Sequence, residues 1–205
     1  EEAEILADCG SIPVINGLTN FAHPCQVLAD LMTVREHFAQ LEGLKMGFVG
    51  DGFNMCNSLI VGCLKVGMKV SVATPEGYEP DAKVLAFAEE MKKQGASFEL
   101  SHDIHQAADN ADVLFTDAWI GMGQEAEAEK RRAAFAGFTV DHDLLSCCKE
   151  GVMVQHCLPA HRGEEITDEV LEEHADEIFE ESENRLHAQK AVMVMLMSEK
   201  SEFHI

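Results

Sequence analysis

Residues 45–75 read KMGFVGDGFNMCNSLIVGCLKVGMKVSVATP, and the reading of this stretch decides the fold. "KMGFVGD" is a short apolar run broken at Gly-Asp-Gly, the pattern of a strand buried on both faces that ends in a tight turn. "NSLIVGCLKVG" carries apolar residues at helical spacing and stops at Gly67, and "KVSVATP" is a second β-branched run. A strand, a helix and a strand in close succession make a right-handed crossover between parallel strands. The Gly50-Asp51-Gly52 turn invites a dinucleotide reading. Met55, however, stands where that fingerprint needs a third glycine for close helix–strand packing. Two readings remain for the turn: a tight connection and nothing more, or one that presents Asn54 to a small polar ligand.

The alternation continues outward from this unit. Downstream, "EPDAKVLAFAEEMKKQG" is a helix with acids in its first turn, lysines in its last and Gly95 as its cap. "SFELSHD" and "ADVLFTD" are strands around a short helix, "IHQAADN". "GQEAEAEKRRAAF" is a helix, "VMVQHCLP" a strand and "ITDEVLEEH" a helix; "DEIFEES" reads as a last short strand and "ENRLHAQKAVMVMLMSEK" as a long closing helix. Upstream, "SIPVINGL" reads as a strand, and "HPCQVLADLMTVREHF" as a helix opening on Pro24. The pattern predicts an α/β protein, a doubly wound, mostly parallel sheet with helices on both faces. Ligands in such sheets sit off the carboxyl ends of the strands. The segments "GDGFN", "ATP", "TDAWIGMG" and "HCLPAHR" are therefore expected to converge on one crevice.

The chain has 205 residues, enough to bury a sizeable core, with a formal net charge of −22. That balance speaks against nucleic acid and anionic membranes as partners, since both attract basic surfaces. It fits either attraction of a cationic substrate or, as adopted here, a solvated acidic surface. The acids between Glu164 and Glu183 are expected on exposed helix faces and a strand edge. Seven cysteines form no CxxC pair; with no leader sequence in view, they suggest reduced thiols and a cytoplasmic protein. No apolar run approaches the roughly 20 residues needed to span a bilayer.

Three segments carry candidate chemistry. Asp117 at a strand end can hold a substrate ammonium or take up a proton. In "HCLP", neighbouring residues of an extended strand point to opposite faces, so His156 and Cys157 are not expected to enter one pocket. That weakens both a metal site and a Cys–His nucleophile, and favours a thiol lining a substrate pocket. His23 and Gln26, three residues apart at a helix start, suit a carbonyl oxygen or an anion; a surface cap is the alternative.

In order, "FAHPCQVLADLMTVREH", "GDGFNMCNS", "ATPEGYEPDA", "DVLFTDAWIGMGQEAE", "HCLPAHRGEEITDEV" and "FEESENRLHAQKAVM" resemble the aspartate/ornithine carbamoyltransferase family, its ornithine branch in particular. The resemblance covers nearly the whole chain. It implies transfer of a carbamoyl group from carbamoyl phosphate to the δ-amino group of ornithine, without metal or organic cofactor, by a homotrimer or a multiple of one. It also implies residue roles. His23, Gln26, Cys157, Leu158 and Arg185 would bind carbamoyl phosphate, and Asn54, Asp117, Gly121 and Met122 would bind ornithine. Asp117, Cys157, His23 and Arg185 would be catalytic, with the thiol helping to deprotonate the amine. The implied division is 1–38 (end of the carbamoyl-phosphate domain and linking helix), 39–182 (ornithine-binding domain) and 183–205 (a helix returning to the first domain). Two departures stand out. The family's Ser-Met-Gly reads Gly121-Met122-Gly123, and its phosphate-binding Ser-x-Arg-Thr segment does not occur. The chain is therefore expected to be the C-terminal two-thirds of such an enzyme, and to lack turnover alone.

Overall fold

In the computed structural model, which describes residues 2–121 and 123–198, five parallel strands form one sheet in the order β3-β2-β1-β4-β5. They are β1 (Lys45–Val49), β2 (Lys69–Ala73), β3 (Phe98–Ser101), β4 (Val113–Thr116) and β5 (Met153–His156). Helices α1 (Glu2–Cys9) and α2 (Pro24–Phe38) precede the sheet, and α3 (Asn54–Lys65), α4 (Ala82–Lys93) and α5 (Ile104–Ala108) connect its first four strands. A 3₁₀ turn (Glu125–Glu127) leads into α6 (Ala128–Ala134), and α7 (His142–Leu145), α8 (Asp168–Glu173) and α9 (Ala175–Met197) complete the chain. The predicted doubly wound architecture is the one found.

The strand sequences explain the layering. Met46, Phe48, Val70, Val72, Val113 and Phe115 pack with Val27, Leu31 and Val34 of α2, and with α3 and α4, on one face. Val49, Ala73, Leu114 and Val154 face the opposite side, where Ala107 of α5, Leu144 of α7, Val170 of α8 and Ile178 of α9 cover them. The strands are apolar on both sides because both sides are buried. Chain order reverses beside β1: β2 and β3 build one way, β4 and β5 the other. The carboxyl ends of β1 and β4 thus flank a switch point, the place where sheets of this kind take their ligands.

The structure differs from expectation at both ends. "SIPVINGL" (11–18) forms no strand; Ile12 is 74% exposed, and no neighbouring strand offers it a ladder. The helix before it, α1, has no counterpart in the sequence reading. "DEIFEES" lies inside α9, a single 23-residue helix in which Ile178, Glu181, Asn184 and Ala188 are buried at helical spacing. A short window showed only the adjacent Ile178 and Phe179 as apolar, and only the longer period reveals the helix. The acidic stretch is also less uniform than expected, since Glu165 and Glu181 are buried.

One glycine sets the geometry of the β1 turn. A Cβ on Gly52 would lie 2.3 Å from the Tyr78 carbonyl oxygen and 2.4 Å from backbone atoms of Glu79 and Pro80. Gly52 N–H donates to that same carbonyl at 2.9 Å, so the two loops touch through backbone alone. Gly52→Ala should therefore cost about 1–3 kcal/mol in chemical denaturation, the usual range for overpacking. An unchanged denaturation midpoint would show that the loops separate freely.

Candidate functional site

Three loops and one helix start meet at the switch point. Asn54 follows β1, Asp117 follows β4, Cys157 and Leu158 follow β5, and His23 is the N-cap residue of α2. Asp117 Oδ1 accepts the Ala118 N–H at 2.8 Å and the Cys157 S–H at 3.2 Å. Burial pushes the Asp117 carboxyl above its ordinary range, against the lowering influence of His156 and of the Cys157 hydrogen bond. Burial and the Asp117 charge push the Cys157 thiol well above its own ordinary value. In this setting the thiol is a hydrogen-bond donor to the carboxyl. The pair therefore sets a carboxyl group and a thiol donor side by side.

His156 and Cys157 come closer than strand alternation predicts. Together with Asp117, their ligand atoms lie within 4.8 Å of one another. The reason is that β5 ends at His156 and the backbone turns at Leu158, whose φ is 53°. His156 Nδ1 accepts the Leu158 N–H at 2.9 Å, and Nε2 lies 3.0 Å from Glu165 Oε1. With both ring nitrogens engaged, the imidazole shapes the turn and has no lone pair left for a cation.

The second group lies on α2 and α9. Arg185 Nη1 donates to Gln26 Oε1, joining two of the predicted residues. His23 sits beside them, and its backbone N–H donates to Ser58 Oγ at 2.7 Å. Burial, assisted by the Arg185 charge, lowers His23 to about 4, so its ring is neutral near pH 7. Its Nδ1 is buried without a hydrogen-bond partner. The two groups adjoin, because the buried Asp30 carboxyl feels the charges of both Arg185 and Asp117.

The remaining candidates are placed less directly. The Asn54 amide donates to the Thr19 carbonyl at 2.9 Å, and its Oδ1 accepts the Met55 N–H at 2.8 Å. Gly121 N–H donates to Gln124 Oε1 at 2.9 Å, within its own loop. Met122 lies outside the described residues. The "ATP" segment borders the crevice without supplying a candidate: Tyr78, just beyond it, receives the Gly52 N–H and stacks under Arg131 at 5.0 Å. Sequence reasoning missed Asp30 and Glu181, although Gln26–Asp30 is a four-residue helical spacing that puts both on one face.

Comparison with known proteins gives a consistent result. The Asp/Orn binding domain of aspartate/ornithine carbamoyltransferases matches residues 42–196, and their carbamoyl-P binding domain matches residues 1–36. The chain is 52% identical to an ornithine carbamoyltransferase of Pyrococcus horikoshii over 96% of its own length and 62% of that protein. An ornithine carbamoyltransferase structure from Pyrococcus furiosus superposes with a TM-score of 0.88 at 50% identity, covering 96% of this chain and 63% of that one. An N-acetyl-L-ornithine transcarbamylase structure also matches, with a TM-score of 0.83 at 30% identity over 96% of this chain and 62% of that one. The chain thus spans a little over three-fifths of the length of the relatives it matches. Matched by the family along most of its length, it belongs to the aspartate/ornithine carbamoyltransferase family.

Proposed function

We propose that the protein containing this chain transfers the carbamoyl group of carbamoyl phosphate to the δ-amino group of ornithine, releasing citrulline and phosphate. The observation that carries the reading is the Asp117–Cys157 hydrogen bond standing next to the Arg185–Gln26 pair. A base for an ammonium adjoins donors for a carbonyl. Relatives about half identical to this chain are ornithine carbamoyltransferases. In this reading the δ-ammonium gives a proton to Asp117, and the free amine attacks the carbamoyl carbon. The C–N bond forms, the C–O bond to phosphate breaks, and phosphate leaves with the electron pair and takes up the second proton of the attacking nitrogen. Neutral His23 and cationic Arg185 stabilise the negative charge that develops on the carbamoyl oxygen, and Gln26 and Leu158 help hold the group. Asn54 and the 117–123 loop, with Met122, take the amino-acid end.

The chain would then combine part of a carbamoyl-phosphate domain with an ornithine domain, as the match of residues 1–36 to the carbamoyl-P binding domain supports. Residues 1–38 would close a carbamoyl-phosphate domain, 39–182 would form the ornithine domain, and 183–205 would return to the first. The last of these divisions falls inside α9. A homotrimer and a cytoplasmic location belong to the same proposal. Among the described residues no helix is long and apolar enough to cross a membrane. Citrulline formation by the complete protein, with putrescine and N-acetylornithine offered beside ornithine, tests the activity; no preference for ornithine would reject it.

Gly121 provides a second test. A Cβ there would meet only the flexible end of Gln124, at 3.2 Å, so serine fits once that amide shifts slightly. Gly121→Ser should lower the ornithine KM about tenfold, by adding one hydrogen bond and removing loop freedom, with little change for carbamoyl phosphate. An unchanged or raised ornithine KM would show that the hydroxyl is not missed.

A further inference from the structure

Gln26 is buried in the first turn of α2, and its side-chain amide is committed on both ends. Nε2 donates to Asp30 Oδ1 at 2.8 Å and to Glu181 Oε1 at 2.8 Å, which uses both of its hydrogens. The carbonyl oxygen faces the other way and accepts from Arg185. The two ends of a primary amide have nearly the same shape, so packing alone hardly distinguishes them; hydrogen-bond partners decide which end points where. Here two carboxyl groups stand on one side and a guanidinium on the other.

The carboxyls come from different helices. Asp30 lies one turn along α2 from Gln26, and Glu181 lies one turn before Arg185 on α9. The second oxygen of Glu181 accepts the His156 N–H at 3.0 Å, tying the pair to the end of β5 just before Cys157. Asp30 and Glu181 themselves lie within hydrogen-bonding reach of each other. Burial raises Asp30 to about 7 and pushes Glu181 well above its ordinary value. A proton held by either carboxyl would avoid two buried negative charges and still leave acceptor oxygens for the Gln26 amide.

We propose that Asp30 and Glu181 act jointly as positioning residues of the carbamoyl subsite, taking both amide hydrogens of Gln26 and so aiming its carbonyl oxygen at Arg185 and the crevice. In that orientation the oxygen keeps one lone pair for Arg185 and one for the amino group of a bound carbamoyl. This inference rests on the function proposed above. It adds that the orientation of Gln26 is imposed from behind by two groups that touch no substrate.

The test uses Asp30→Asn and Glu181→Gln in the complete protein, each close to the native shape. An amide at either position offers donors as well as acceptors, so Gln26 is released to turn over. The KM for carbamoyl phosphate should rise about tenfold in each, with the ornithine KM little changed. A double-mutant cycle then separates positioning from mere structure. In a Gln26→Ala background, Asp30→Asn should add nothing to the carbamoyl phosphate KM. Additive effects, or equal rises in both KM values, would overturn the proposal. A readout independent of turnover is hydrogen exchange of the ¹⁵N-labelled Gln26 side-chain amide, slow in the native protein and faster in Asp30→Asn. Equal protection in both would also overturn it. If Asp30→Asn does not fold, Glu181→Gln carries the same measurements. If the native protein makes no citrulline, the functional reading fails, and amide exchange still decides the orientation.

Discussion

Arg131→Met is expected to destabilise the fold by about 3–5 kcal/mol, the cost of leaving a buried charge without its partner. Arg131 is 4% exposed on α6 and Asp51 is 8% exposed in the β1 turn, and they form an ion pair through Nη2. Nε of the same guanidinium donates to the Trp119 carbonyl at 2.5 Å, and the group lies over the Tyr78 and Phe135 rings at 5.0 and 5.3 Å. One side chain therefore fastens the loop after β4 to the turn after β1. Burial raises Asp51 to about 6 even with the arginine holding it down. Without the arginine its pKa climbs further. A carboxyl raised above its unfolded value stabilises the fold at low pH, and that contribution is lost as pH rises through the folded value. The deficit of the variant should accordingly be smaller at pH 5 than at pH 8 in urea denaturation. Asp51→Asn added to Arg131→Met should recover part of it. A variant within about 1 kcal/mol of the native protein at pH 8 would show that solvent reaches Asp51.

The second large effect is chemical. Asp117→Asn should reduce citrulline formation by the complete protein by about 10²–10⁴-fold, the range for removing a positioned base. Asparagine keeps an oxygen where Ala118 N–H and Cys157 S–H donate, so the loop geometry survives while charge and basicity are lost. The carbamoyl phosphate KM should change little. Stability should move the other way. Burial raises the Asp117 carboxyl, so ionising it works against folding, and the amide removes that cost. Unchanged or higher thermal stability together with lost turnover is the expected result. Less than a tenfold loss of turnover would remove Asp117 from the role of base.

Much of this was legible in the sequence, for a physical reason. Strands such as "KMGFV" and "DVLFT" are apolar throughout because helices cover both sides, and each ends at a polar loop where the crevice opens. Asp117 and Cys157 stand out by their place at strand ends, whereas Leu158, Gly121 and Met122 were implied only by the family resemblance. What escaped was decided by context. "SIPVINGL" has strand composition but no neighbour to pair with, and Glu181 was hidden when its segment read as a strand. The closeness of His156 and Cys157 depends on one residue, Leu158, leaving extended geometry, which no alternation rule anticipates. The buried partners of Gln26 needed two helices to be placed side by side, information that a local window does not contain.

The continuity of α9 through Glu177, Glu181 and Arg185 has a consequence for how this chain tolerates length change. Glu177 accepts the Val154 N–H at 2.5 Å, Glu181 accepts the His156 N–H at 3.0 Å, and Arg185 reaches Gln26; the three are spaced four apart along one helix face. Helical geometry advances each residue by about 100°, so the helix behaves as a gauge with fixed divisions. Deleting or inserting a single residue between Glu181 and Arg185 would rotate the guanidinium off its mark, whatever residue was removed or added. Substitutions along the exposed side of α9 can accumulate, but the count of residues between those three divisions cannot drift.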